Sequence, residues 1–136
     1  MDSQFATLFL GDYDDTQRRL RYVNCGHNPP LLLRAGGDVE WLAATATVLG
    51  AFQAWDCEVA EVDLRPGDLL VVYSDGVTEV FGADSAMFVE DHLLDVVSTH
   101  RDLGADDVLR AIRDAVAAFG TNGAEDDLTL LVARAR

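Results

Sequence analysis

An α+β fold is predicted by two changes of period along the chain. Residues 5–73 carry apolar side chains at alternate positions or in short solid runs, separated by turn residues. Residues 89–119 then repeat at helical spacing, and Leu128–Val132 returns to a strand pattern. Several antiparallel strands, two helices and a closing strand, in that order, make α+β rather than alternating α/β.

Each element has its own warrant. Phe5 to Tyr13 is a mostly apolar run rich in Phe, Leu and Thr, and Asp14-Asp15-Thr16 is a turn signal. Leu20-Arg21-Tyr22-Val23-Asn24 alternates apolar and polar, so the two runs predict a β-hairpin. Gly26-His27-Asn28-Pro29-Pro30 breaks the pattern before Leu31-Leu32-Leu33 begins another strand. Ala35-Gly36-Gly37-Asp38 is a second turn, Val39 to Leu42 a short strand, and residues 43–54 have no clear period. Cys57 to Leu64 alternates again through Cys57, Val59, Val62 and Leu64. Arg65-Pro66-Gly67-Asp68 is a strong turn. Leu69-Leu70-Val71-Val72-Tyr73 is a solid apolar strand of the kind buried on both faces. Val89 to Val97 places Val89, Leu93, Leu94, Val96 and Val97 at helical spacing. Ala105 to Phe119 puts Val108, Leu109, Ile112, Val116 and Phe119 on one stripe. Gly104 and the acids Asp106 and Asp107 mark its start, and Gly120 its end.

Composition narrows the function classes. A chain of 136 residues, 49% apolar, is one domain with a real core rather than a disordered segment. Eighteen Asp and six Glu face ten Arg and no Lys, a net charge of −14. Such a surface repels nucleic-acid phosphates and anionic membranes. No apolar run approaches the roughly 20 residues that span a bilayer, and the Met1-Asp2-Ser3-Gln4 start carries no basic leader. Cys25 and Cys57 alone make neither a disulfide framework nor a metal cage. A cytoplasmic location is expected. The acid excess keeps a small domain soluble, but Asp is also a short ligand for hard cations such as Mg²⁺ and Mn²⁺.

Two acidic segments adjoin apolar strands. Tyr73-Ser74-Asp75-Gly76-Val77-Thr78-Glu79 sets one carboxylate at a strand terminus before a glycine. Glu125-Asp126-Asp127-Leu128-Thr129 sets two just ahead of another strand. Each alone reads as a solvated turn. If the two strands are neighbours, however, their carboxylates converge at one end of a sheet, as ligands of a hard divalent cation do. In Asn24-Cys25-Gly26-His27-Asn28-Pro29-Pro30, the Asn and Pro residues demand a fixed turn, with His27 tying backbone groups together. Cys25 has no arrangement beyond that adjacent His to make it a nucleophile, and His92 and His100 lie in the helical region. Gly11-Asp12-Tyr13-Asp14-Asp15 lacks the spacing of a calcium loop and reads as a hairpin turn. Trp41, Trp55 and the Phe residues read as packing. Walker and dinucleotide glycine motifs are absent.

In order and spacing, these motifs resemble the sporulation stage II protein E type of bacterial serine phosphatase, within the metal-dependent phosphatases of type 2C. The resemblance rests on Phe5-Ala6-Thr7-Leu8-Phe9, on Tyr22-Val23-Asn24 through Pro30, and on Pro66-Gly67-Asp68. It rests further on Tyr73-Ser74-Asp75-Gly76-Val77-Thr78-Glu79 and Asp126-Asp127-Leu128-Thr129-Leu130. It runs nearly the whole length of the chain. The Asn-x-Gly-His-Asn-Pro-Pro and Ser-Asp-Gly-Val-Thr-Glu segments are the specific ones. The resemblance implies a layered α-β-β-α sandwich of two antiparallel sheets flanked by helices. It implies two Mn²⁺ or Mg²⁺ ions, with Asp75 and Asp126 as catalytic metal ligands and Asp127 orienting the site. The implied chemistry is attack of a metal-activated water on a phosphoserine phosphorus.

One departure matters. The family opens with Gly-Asp-x-x-Asp and then Asp-x-x-Gly-His-Gly, which supply further ligands. Here Gly26-His27 is followed by Asn28, and Gly11-Asp12-Tyr13-Asp14 stands where the family has a hairpin. Residues 1–136 therefore read as a single, partial domain without the opening strands and helices. On this reading it is a phosphatase fragment, inactive or very weak alone, whose substrate is a phosphorylated anti-sigma-factor antagonist. The alternative is a non-catalytic phosphatase-like binding or scaffold module. An in-frame Asp-x-x-Gly-His-Gly ahead of Met1 favours the first. Sheet edges left open by missing strands predict self-association.

Overall fold

The computed structural model describes residues 4–51, 53–74, 90–120 and 128–136. Alternation sorts the β-segments into two antiparallel sheets. The first holds β1 (Leu8–Asp14), β2 (Arg19–Cys25) and β5 (Ala60–Asp63) in the order β1-β2-β5. The second holds β3 (Leu31–Leu33), β4 (Val39–Trp41), β6 (Leu69–Tyr73) and β7 (Leu130–Arg134) in the order β4-β3-β6-β7. Helices α1 (Glu90–Thr99) and α2 (Ala105–Phe119) complete the described elements.

β6 explains the layering. Its odd positions, Leu69, Val71 and Tyr73, pack with Leu31 and Leu33 against Leu93 and Val97 of α1 and Val108, Ile112 and Val116 of α2. Its even positions, Leu70 and Val72, face the first sheet through Leu20, Leu42, Phe9, Tyr22 and Val62. The strand is solidly apolar because helices cover one face and a sheet the other. The helix-side cluster has ten buried members and the inter-sheet cluster three. At about 1.5–3 kcal/mol for each buried side chain, the helix side is the main core.

Alternation continues along β7. Leu130 and Val132 join the helix-side core, which turns Leu131 and Ala133 toward the inter-sheet face. Leu131 is 53% exposed. Ala133 lines a groove of about 370 Å³ with Tyr13, Leu20, Leu64 and Leu70, among others.

Several boundaries move. The hairpin pairs Leu8 with Cys25 through Asp14 with Arg19, so Gly11–Asp14 belong to β1 rather than to its turn. Asp14 closes that turn: its Oδ1 accepts from Thr16 N at 2.9 Å, Thr16 Oγ1 at 2.6 Å and Gln17 N at 3.2 Å. Cys57–Val59 are not in a strand, and β7 begins at Leu130 rather than Leu128. Gly120 caps α2 with extended backbone, φ −71°, and donates to Val116 O. Among the described residues, no helix is long and apolar enough to cross a membrane.

Candidate active site

The two strands that carry the acidic segments are neighbours. β6 pairs with β7 antiparallel, Tyr73 opposite Leu130. One step further, Ser74 N donates to Thr129 O at 3.0 Å and Thr129 N donates to Ser74 Oγ at 2.9 Å. Two hydrogen bonds thus fasten the strand ends where the acidic segments begin. Asp75, which follows Ser74, and Asp126 and Asp127, which precede Leu128, lie outside the described residues. The neighbourhood of strands that spacing alone left open is therefore met for their anchors.

A third segment enters the same end. Leu31 pairs with Val71 and Leu33 with Leu69, so the turn leading into β3 stands at the Tyr73 end of the sheet. That turn is Gly26–Pro30, and Asn24 builds it. The Asn24 carboxamide is fully buried; its Oδ1 accepts from His27 N at 2.8 Å and its Nδ2 donates to Leu42 O at 2.9 Å. Its backbone N–H donates to Thr45 Oγ1 at 3.0 Å, and its carbonyl accepts from Thr45 N and Ala46 N. Gly26 sits at φ +73°, and a Cβ there would lie 2.5 Å from Val48 Cγ1. Residues 43–54, which lack any period, are shaped by these bonds and by bridges from Cys25 to Ala46 and Ala6 to Leu49.

His27 has the structural role expected of it, though Asn24 does more of the tying. His27 Nδ1 lies 2.8 Å from Asn28 O. A carbonyl only accepts, so Nδ1 carries the proton. Cys25 is buried, and burial, with the Cys57 thiol adding a little, pushes its pKa up, away from nucleophile chemistry. His100 Nδ1 donates to Val96 O and the His92 ring packs on Phe119, so neither histidine joins the site. Gly11-Asp12-Tyr13-Asp14, which imitates a metal motif, runs to the opposite end of β1 from Cys25. Among the described residues, no group of three or more His, Cys, Asp or Glu could hold a metal ion. A metal centre would draw on the hard carboxylates next to Ser74 and Thr129, a donor type that suits Mg²⁺ and Mn²⁺.

At the other end of the sheet, a charge network emerges that sequence reasoning missed. Asp68 is 2% exposed; it accepts from Ala35 N, Arg65 N and Arg34 Nη1. Arg34 also bonds Glu40 at 2.6 Å and Asp63, both carbonyl and carboxylate, which ties β3 to β5 across the sheets. Burial opposes the charge on Arg34, but the bonds to Asp68 and Glu40 outweigh it and raise its pKa. Pro66-Gly67-Asp68 signalled the turn; nothing in it signalled the distant arginine.

The two antiparallel sheets and the two helices superpose on solved type 2C phosphatase domains. The RsbU and RsbW domains of a Mycobacterium tuberculosis protein match with a TM-score of 0.80 and 26% identity, over 98% of this chain and 37% of that one. The SpoIIE phosphatase domain of Bacillus subtilis, from a crystal presoaked with Mn, matches with a TM-score of 0.70 and 25% identity, over 95% of this chain and 56% of that one. The chain belongs to the Stage II sporulation protein E (SpoIIE) family, which matches it over residues 1–136. Phosphoserine phosphatase RsbU of Bacillus subtilis (strain 168) is 28% identical over 133 residues, 97% of this chain and 39% of RsbU. The chain spans two fifths or less of the curated relatives it matches. RsbU and a second curated relative, RsbP of the same organism, carry the name phosphoserine phosphatase.

Proposed function

We propose that residues 1–136 form the later part of a metal-dependent protein serine/threonine phosphatase domain that acts on phosphoserine in the cytoplasm. Its substrate is a phosphorylated anti-sigma-factor antagonist. The observation that carries this reading is the Ser74–Thr129 seam, because Asp75 directly follows one anchor and Asp126 precedes the other by three residues. Asp75 and Asp126 hold Mn²⁺ or Mg²⁺, and Asp127 orients them. Divalent cations bound there supply an acidified water as nucleophile and neutralise the phosphate charge that a −14 chain repels. The chain's own side chains hold that end rigid: Ser74 accepts from Thr129, and Asn24 fixes the turn beside it. The similarity to phosphoserine phosphatase RsbU supports the reading.

Mn²⁺ titration and hydrolysis of p-nitrophenyl phosphate test it together. Two carboxylates cannot complete the shells of two ions, and the sequence holds no Asp-x-x-Gly-His-Gly segment. The chain alone is expected to bind Mn²⁺ weakly, to lose that binding on Asp75→Asn or Asp126→Asn, and to turn over little. Binding unchanged by both substitutions overturns the site. Robust turnover abolished by Asp75→Asn overturns the expected weakness of the chain alone.

A further inference from the structure

A second cavity lies at the far end of the four-stranded sheet from the Ser74–Thr129 seam. It is separated from it by the length of β6, about 14 Å at ~3.4 Å per residue. The cavity measures about 150 Å³ and is lined by Arg34, Arg101, Asp102, Gly67 and Arg134, among others. Its arginines differ in how their charge is met. Arg34 is matched by Glu40, Asp63 and Asp68. Arg134 meets only carbonyls: Nη1 donates to Gly67 O at 3.1 Å, and Nη2 donates to Leu103 O at 2.7 Å and to Arg101 O. Its Nε is buried with no hydrogen-bond partner. Arg101 has no carboxylate partner among the described residues, and its Nη1 lies where a Cβ on Gly37 would come within 2.9 Å.

Acids outnumber arginines 24 to 10 in this chain, yet two guanidiniums unmatched by carboxylate line one small cavity. Arg101 is exposed, but Arg134 is half-buried with its Nε unpartnered, and a half-buried cation without a carboxylate is costly unless an anion meets it. Guanidinium forks match the oxygens of phosphate, and such pairs are the strong charge-assisted kind. A cavity of this volume has room for one tetrahedral oxyanion together with water. We propose that the cavity between Arg101 and Arg134 is an anion site for one phosphate-class oxyanion, separate from the metal-binding end. Asp102, on the same wall, opposes the anion and limits its affinity.

Calorimetric titration of the 136-residue chain with inorganic phosphate, at constant ionic strength and with EDTA present, tests this. Saturable millimolar binding is expected, weakened at least about tenfold by Arg101→Ala, the cost of losing a charge-assisted pair. Asp102→Asn is expected to tighten it, and Arg113→Ala, an exposed charge elsewhere on α2, to leave it unchanged. Because Arg134 variants risk misfolding, ¹⁵N-arginine spectra supply a second readout in which the Arg134 Nε–H resonance moves with phosphate. A phosphoserine peptide separates the sources. Binding of both ligands at Arg101 assigns the site to a phosphoryl group carried on a polypeptide; binding of phosphate alone assigns it to the free ion. Absence of saturable binding under these conditions, or equal affinity in Arg101→Ala, overturns the proposal. None of these outcomes bears on Asp75 or Asp126, so the two readings fail separately.

Discussion

Asn24 shows how one side chain can organise a segment that has no pattern of its own. Its carboxamide satisfies the His27 N–H and the Leu42 carbonyl at once, inside the protein. Asn24→Ala leaves both without that partner, and a buried polar group left unsatisfied costs about 1–3 kcal/mol. Urea unfolding should show a loss of at least that size, while Asn28→Ala, in the half-buried part of the turn, should cost less. Carboxylates set the acid limit. The hydroxyl of Thr16 holds Asp14, and the guanidinium of Arg65 holds Asp63, below the ordinary 3.8. A lowered folded pKa means stability that is complete above about pH 4 and is lost as pH falls through the lowered values. Asp63→Asn should therefore flatten the acid limb of stability against pH, read as thermal midpoints between about pH 2 and 5.

Elements were legible where their period was strong. Helix α2 occupies Ala105–Phe119, as its stripe predicts, and buries Val108, Ile112 and Val116. Ile112→Ala should cost about 2–5 kcal/mol by cavity formation, whereas Ala118→Ser, at an exposed position of the same helix, should cost under about 0.5 kcal/mol; denaturant midpoints distinguish them. β6 was legible as doubly buried for the same reason. The ends of Cys57–Leu64 and Leu128–Val132 were not, because alternation marks which residues can pair and only a partner's length decides which do. The site was half legible: Ser74-Asp75 and Asp126-Asp127 stood out as acids at strand ends, but adjacency of β6 and β7 is a matter of topology. Asn24 stood out as part of a fixed turn, but its bond to Leu42, and those of Arg34 to Asp68 and Arg134 to Gly67, gave no signal, since these partners lie 18 to 67 residues away.

Taken whole, the molecule covers one face of its central layers far better than the others. Helices cover the second sheet, while Leu10, on the outward side of β1, is 60% exposed and Leu131 of β7 is 53% exposed. Among the described residues, β1 and β7 are also the outermost strands of their sheets. Self-association is the expected consequence. Light scattering should show mass rising with concentration, and Leu10→Arg with Leu131→Arg should suppress it without lowering the thermal midpoint. A monomer at every concentration counts against it.

The seam that closes the candidate active site also has a place in time. Ser74 and Thr129 stand 55 residues apart in the chain, whereas β1 and β2 are joined by a tight turn. The entropy of closing a loop grows with the logarithm of its length, and distant pairings are the slow ones in folding. The hairpin can zip by itself, but β7 has no template until β6 is already held by β3 and the helices. Of the described strands, the one latest in the chain is also the one that fastens Ser74 to Thr129. The candidate site is thus closed by the slowest pairing among them, well after the hairpin has formed.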